Sequence, residues 1–249
     1  MGYEAIDNKV ALITGGSEGI GYGIAKTFIE AGAKVAITGR NIDNLERAKE
    51  SLGSDVLSIN ADVAQVETSK STVDNVINKF GKLDILVNNA GEAIQKPISQ
   101  STIEDFDQVF NTNVRGLFAQ TQAAIPELKK THGNIIIMGS SLGMRPMPIY
   151  GVYSASKAAV IMFAQIWAKD LAPDVRVNSI SPGGVDTPLW DKLVGKKNKK
   201  EVLNFVKDRH LLKKLGNPEE IGRVALYLAT EDWLTGSNFV VDGGLFYSI

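Results

Sequence analysis

The chain has 249 residues, 44% hydrophobic and 22% charged, the profile of a globular protein long enough for one large core. A formal net charge of −1 provides no global field to recruit nucleic acid or an anionic membrane, and the absence of cysteine removes disulfides, thiolate metal sites and a cysteine nucleophile together. No charged-then-apolar leader opens the sequence and no apolar run approaches the roughly 18 residues a membrane helix needs, so a cytoplasmic protein without a membrane partner is expected.

Seven short β-branched runs read as strands in chain order: Val10 to Thr14, Lys34 to Thr38, Val56 to Asn60, Ile85 to Asn88, Asn134 to Met138, Arg176 to Ser181 and Asn238 to Val241. Between them apolar residues recur at helical spacing over Ile20 to Ala31, Val66 to Phe80, Phe106 to Leu128, Tyr153 to Leu171 and Pro218 to Leu228. Strands that are apolar throughout and separated by helices imply a parallel sheet covered on both faces, an α/β doubly wound architecture. No internal repeat, low-complexity tract or flexible linker divides the sequence, so residues 1–249 read as a single domain. The rhythm breaks over Asp186 to Leu215, where a helical pattern with Lys196, Lys197, Lys199 and Lys200 is inserted. Insertions at the carboxyl ends of strands are where such sheets bind ligands, which makes residues 186–215 a candidate substrate lid.

Directly after the first strand comes Thr14-Gly15-Gly16-Ser17-Glu18-Gly19-Ile20-Gly21, followed at once by a helix. Glycines at a strand-to-helix turn let backbone approach a pyrophosphate, and the helix start offers free N–H groups and a positive dipole end. The spacing departs from G-x-G-x-x-G, and Tyr22 stands where a P-loop needs Lys, so a dinucleotide fits better than ATP or GTP chemistry. The second strand runs into Thr38-Gly39-Arg40. An arginine there suits a 2′-phosphate, where an acidic residue would bond ribose hydroxyls, so NADP(H) is favoured over NAD(H), although Glu18 in the cradle argues the other way.

Tyr153 and Lys157 stand four residues apart on a helical pattern, which stacks a phenol and an ammonium on one face. A neighbouring positive charge favours the phenolate and lowers its pKa from about 10, toward the range where general acid–base catalysis works best. Ser154-x-x-Lys157 also fits the S-x-x-K nucleophile motif, but the partner motifs S-D-N and K-T-G are missing. His132 and His210 stand in no metal-ligand pattern; both are expected to face solvent, and no metal site is expected.

Gly15-x-x-x-Gly19-x-Gly21, Asn88-Asn89-Ala90-Gly91, Asn113, Ser140, Tyr153-x-x-x-Lys157, Pro182-Gly183 and the ending Val241-Asp242-Gly243-Gly244 together resemble the short-chain dehydrogenase/reductase family. The resemblance runs from about Asn8 to Gly244 and is strongest to members such as 3-oxoacyl-carrier-protein reductases, sugar dehydrogenases and tropinone-reductase-like enzymes. It implies a Rossmann-type seven-stranded sheet, a homotetramer, and hydride exchange between a nicotinamide cofactor and a secondary alcohol or ketone. By resemblance Tyr153 is the acid/base, Lys157 holds the nicotinamide ribose, Ser140 donates to the substrate oxygen, and Asn113 supports a water relay behind the lysine. The same resemblance assigns Gly15, Ser17, Glu18, Gly19, Ile20, Gly21, Arg40, Asp62, Val63, Asn89, Ala90, Gly91, Pro182, Gly183, Val185 and Thr187 to the cofactor.

Substrate contacts are read from the residues alone. Leu142, Met144, Met147, Leu189, Trp190, Leu193, Val194 and Phe205 suit an apolar carbonyl compound, whereas Glu92 suits the hydroxyls of a sugar or polyol. The rival to an enzyme is a nucleotide-binding scaffold that kept the fold and lost the chemistry, and the complete Ser140, Tyr153 and Lys157 set speaks against it.

Overall fold

The computed structural model describes residues 6–248. Strands β1 (Val10–Ile13), β2 (Lys34–Gly39), β3 (Leu57–Asn60), β4 (Ile85–Asn88), β5 (Asn134–Met138), β6 (Arg176–Pro182) and β7 (Asn238–Val241) form one sheet in the order β3-β2-β1-β4-β5-β6-β7. Every neighbouring pair is parallel. Helices connect them: α1 (Gly19–Glu30), α2 (Ile42–Leu52), α3 (Thr68–Phe80), α4 (Ile103–Phe110), α5 (Leu117–Thr131), α6 (Gly151–Leu171), α7 (Leu189–Arg209) and α8 (Pro218–Thr230).

The apolar run of β1 shows why both faces must be covered. Ala11 and Ile13 point into a core shared with Ile24, Phe28 and Leu226, while Val10 and Leu12 point into a second core with Val76, Leu128 and Val160. Each strand residue therefore reaches one of two hydrophobic layers, the requirement of a doubly wound sheet. Strand order reverses between β1 and β4, and the crevice outside their carboxyl ends is where this class of sheet takes its ligands. Among the described residues no helix is long and apolar enough to cross a membrane.

Three elements differ from expectation. Helix α2 is absent from the periodicity reading because only Leu45 and Ala48 are buried on it; Asn41 starts it, accepting a hydrogen bond from Asn44 N at 2.8 Å. The run expected as one helix from Phe106 starts instead at Ile103, where Thr102 and Asp105 make a reciprocal capping box. It is then interrupted by a wider π-helical turn over Asn111–Gly116, so that α4 and α5 are separate helices around Asn113. His210 corrects the solvent-facing expectation: it is buried, and its Nε2 accepts from Gly184 N at 3.2 Å while Nδ1 lies 2.8 Å from Val206 O. That pairing uses the neutral ring with its proton on Nδ1 and ties the end of α7 to the turn after β6.

Candidate active site

The Gly-rich turn is held open by Asn89. Its Nδ2 donates to Thr14 O (2.9 Å) and Gly15 O (3.0 Å), while Thr14 Oγ1 accepts from Asn89 N and Ala90 N at 3.0 and 3.1 Å. Gly15 and Gly19 have φ of +63° and +60°, and a Cβ at Gly21 would overlap Gly15 O and Asn89 Nδ2. Helix α1 has no side-chain cap and no acid in its first turn, so its leading N–H groups are left for an anion.

A cavity of about 800 Å³ extends from this turn past the carboxyl ends of β1, β4, β5 and β6 to the lid. Its walls include Gly15, Ser17, Glu18, Gly19, Ile20, Arg40, Asp62, Val63, Asn89, Ala90 and Gly91 at one end, and Pro182, Gly183, Val185 and Thr187 along the middle. Gly21 lies beneath the turn, where it makes room for the Gly15 and Asn89 contacts.

Ser140, Tyr153 and Lys157 meet on the same cavity wall. Tyr153 and Lys157 come from the first two turns of α6, and Ser140 from the segment just beyond β5. Lys157 is buried, with Nζ donating to Met138 O at 2.8 Å and lying 5.8 Å from the Tyr153 ring centroid. Burial pulls the lysine down to about 8. Burial also pushes the Tyr153 phenol up; the Ser140 hydroxyl beside it works against that rise, and Tyr150 adds to it.

Asn113 is buried on the π-helical turn, which widens the helix enough to aim its carboxamide inward. Its Oδ1 accepts from Glu92 N at 2.7 Å, and its Nδ2 donates to Glu92 O and to Ser156 Oγ, both at 2.9 Å. Ser156 Oγ in turn donates to Tyr153 O at 2.7 Å, so the asparagine braces the start of α6. A Cβ on Gly91 would sit 3.4 Å from Asn113 Oδ1 and 3.5 Å from Lys157 Nζ, which puts the carboxamide and the ammonium around one point.

Helix α7 closes the far side. Leu189, Trp190, Leu193, Val194 and Phe205 all face the cavity, as do Leu142 and Met147. Trp190 Nε1 donates to Val185 O at 2.8 Å, and Lys192 bridges to Glu18 at 2.9 Å, fastening the lid to the Gly-rich turn. The structure places two of the residues read as substrate contacts elsewhere. Met144 Sδ accepts from Asn238 Nδ2 at 3.0 Å, and the Glu92 carboxylate pairs with Arg40 instead of facing the cavity.

The matches to known proteins cover the same span as these contacts. A family model described as enoyl-(acyl carrier protein) reductase matches residues 15–246. The 3-oxoacyl-[acyl-carrier-protein] reductase FabG of Thermotoga maritima is 36% identical over 247 residues, 96% of this chain and 98% of that protein. The chain belongs to the short-chain dehydrogenase/reductase family.

Within that family, the chain is also 36% identical to an NADP-dependent (R)-specific alcohol dehydrogenase of Lentilactobacillus kefiri over 250 residues, 97% of this chain and 98% of that one. A crystal structure of a 3-ketoacyl-(acyl-carrier-protein) reductase from Brucella melitensis complexed with NADH superposes with a TM-score of 0.90 at 32% identity, covering 98% and 100% of the two chains. This short-chain dehydrogenase/reductase is thus an oxidoreductase of carbonyl and alcohol groups that uses a nicotinamide cofactor. Its residues fit such a group: the uncapped start of α1 suits the pyrophosphate, and no side chain intrudes where Gly15, Gly19 and Gly21 form the turn.

Sequence reasoning missed one part of this wall. Gln95 Nε2 donates to the Tyr150 hydroxyl, and both residues face the cavity together with Ile149. Ile149 has φ of +66°, a left-handed conformation that a β-branched residue rarely adopts. No sequence pattern announces it; only its place between Pro148 and the start of α6 hints at a forced turn.

Proposed function

We propose that the chain is an NADP(H)-preferring carbonyl reductase or alcohol dehydrogenase, a single catalytic domain whose residues 186–215 act as a substrate lid. The observation that carries this reading is the meeting of Ser140, Tyr153 and Lys157 on the wall of a cavity whose other end is the phosphate-binding turn. The bound cofactor supplies or accepts the hydride. Tyr153 gives its phenolic proton to the carbonyl oxygen during reduction and takes it back during oxidation. Ser140 directs its hydroxyl dipole at the same oxygen, where negative charge develops. Lys157 holds the nicotinamide ribose and offsets phenolate charge, while Asn113 fixes the loop and helix between which Lys157 sits.

Gly15, Ser17, Glu18, Gly19, Ile20 and Gly21 form the pyrophosphate cradle in this reading, with Arg40, Asp62 and Val63 at the adenosine and Asn89, Ala90, Gly91, Pro182, Gly183, Val185 and Thr187 along the nicotinamide half. Arg40 on the cavity wall supports NADP(H) over NAD(H). The apolar lid supports a ketone or secondary alcohol carrying an aliphatic chain, and the turning of Glu92 toward Arg40 removes the main support for a sugar. A 3-oxoacyl thioester belongs to the same substrate class and is favoured as a second reading by the named relatives.

Two separate apolar faces support a homotetramer. Phe118, Met162 and Ile166 are exposed on α5 and α6, and Tyr227, Trp233, Val240 and Tyr247 around the β7 edge. Two interfaces per protomer are what a closed four-subunit assembly needs. A cytoplasmic setting completes the proposal and is checked by cell fractionation. The deciding experiment follows NADPH and NADH oxidation with aliphatic ketones, a 3-oxoacyl thioester and sugars. Turnover is expected with NADPH and apolar ketones; no turnover with any carbonyl, despite cofactor binding, would favour the scaffold reading, and higher efficiency with NADH would sink the NADP(H) preference.

A further inference from the structure

The adenosine end of the cavity carries Lys192 and Arg40, and the chain meets both cations with its own carboxylates. Lys192 bridges to Glu18, whereas Arg40 Nη2 donates to Glu92 and its Nη1 lies 4.0 Å from Asp62. The two halves of the Arg40–Glu92 pair are held differently. The arginine side chain is 52% exposed, while the Glu92 side chain is 13% exposed. Glu92 is also pinned at its backbone, its N–H and carbonyl both bonded to the buried carboxamide of Asn113. The carboxylate is therefore the enclosed member of the pair, on an anchored backbone, and the guanidinium the member open to a ligand.

A guanidinium fork binds a carboxylate or a phosphate in the same planar way, so the two anions compete for it. We propose that Glu92 is a cofactor-selecting residue: its carboxylate occupies Arg40 as a ribose 2′-phosphate would, and the phosphate of NADP(H) must displace it. A cofactor with a free 2′-hydroxyl leaves the Arg40–Glu92 pair intact. Glu92 acts through Arg40, as a positioning residue that narrows the advantage Arg40 gives to the phosphorylated cofactor. The inference rests on the proposed role of Arg40 at the adenosine, and it makes Glu92 a determinant of the NADPH to NADH ratio instead of a substrate ligand.

The test is direct binding. Dissociation constants for NADPH, NADH and adenosine 2′,5′-bisphosphate are measured by titration calorimetry for wild type, Glu92→Gln, Arg40→Gln and the double variant, with thermal melts to establish folding. Glu92→Gln keeps the shape and removes the charge. It is expected to tighten NADPH and the bisphosphate about three- to fivefold, the upper worth of one partly exposed charge pair, and to leave NADH within about 1.5-fold. In the Arg40→Gln background the same change is expected to lose its effect on NADPH. An unchanged NADPH to NADH ratio in Glu92→Gln, or an equal gain without Arg40, overturns the inference. Wild type that prefers NADH, yet shifts toward NADPH on Glu92→Gln, removes only the NADP(H) preference; wild type that prefers NADPH with no shift removes only the role of Glu92. If Glu92→Gln fails to fold, Glu92→Ser gives the same comparison.

Discussion

Lys157 stands over the face of the Tyr153 ring, its Nζ 5.8 Å from the centroid, and spends its hydrogen bond on the backbone carbonyl of Met138. The four-residue spacing suggests ammonium and phenol oxygen side by side; the helix instead presents the ring face to the cation. Desolvation then acts on both groups in the same sense, raising the phenol and lowering the lysine to about 8. The free protein holds a neutral phenol ready to donate, next to a lysine whose charge changes near pH 8.

That arrangement makes Tyr153→Phe a clean test of the proton donor. The phenyl ring keeps the packing against Lys157 and removes only the hydroxyl, so turnover is expected to fall by about 10²–10⁴-fold. Cofactor affinity, measured by fluorescence titration, is expected to stay within about threefold because the Gly-rich turn and Asn89 are untouched. Turnover within tenfold of wild type would assign the proton to another group.

Lys157→Met tests the burial of the ammonium, and its pH dependence has a definite sign. The lysine titrates at 10.5 in the unfolded reference and at about 8 in the fold. Below about pH 8 both states carry the proton and the fold bears the whole cost of burying it; between about 8 and 10.5 only the unfolded chain binds it, so wild-type stability rises with pH there. That cost is on the order of 3 kcal/mol, and losing the bond to Met138 O offsets about half of it in the variant. Lys157→Met is therefore expected to melt about 2–5 °C higher than wild type at neutral pH, with the difference shrinking as pH approaches 10.5, while activity is lost. A lower midpoint at neutral pH, or a difference that ignores pH, would contradict the burial argument.

The sheet is readable from sequence because each strand is short, apolar on both faces and followed by a helix of clear period, as β1 and α1 show. Helix α2 is less readable, since only two of its residues reach the core. The Gly-rich turn and the Tyr153–Lys157 pair are legible because their spacing carries its physical reason, whereas Ser140 and Asn113 are marked only by the family resemblance. Partners far apart in sequence leave no such trace. Nothing in the order of residues says that Glu92 turns to Arg40, that His210 is buried under Gly184, or that Gln95 reaches Tyr150. The family resemblance marks Asn113, but the bonds its carboxamide makes from the π-helical turn to Glu92 and Ser156 leave no trace in the spacing.

Gly21→Ala tests the construction of the cradle. The new methyl group overlaps Gly15 O and Asn89 Nδ2, so the hydrogen bond that holds the turn must break. Cofactor binding is expected to weaken by at least about tenfold, and stability to fall by about 1–3 kcal/mol. Gly151→Ala is the control, since its added Cβ meets nothing within 4 Å. It is expected to bind cofactor and melt as wild type does. Equal cofactor affinity in the two variants would show that the turn tolerates a side chain and does not shape the site.

The assembly is tested on the helix that carries the chemistry. Phe118, Met162 and Ile166 expose an apolar strip beside the stacked Phe163 and Trp167 rings, whose centroids are 4.7 Å apart. A charge at Ile166 would be forced into any interface formed by this strip, at a cost of several kcal/mol per copy. Ile166→Glu is expected to convert the proposed tetramer to dimers held by the β7 face, read as a halved mass in sedimentation. Because α6 also carries Tyr153 and Lys157, freeing its outer face is expected to lower turnover several-fold while the cofactor still binds. An unchanged mass in Ile166→Glu would place the subunit contact elsewhere, and a wild-type monomer would remove the tetramer altogether.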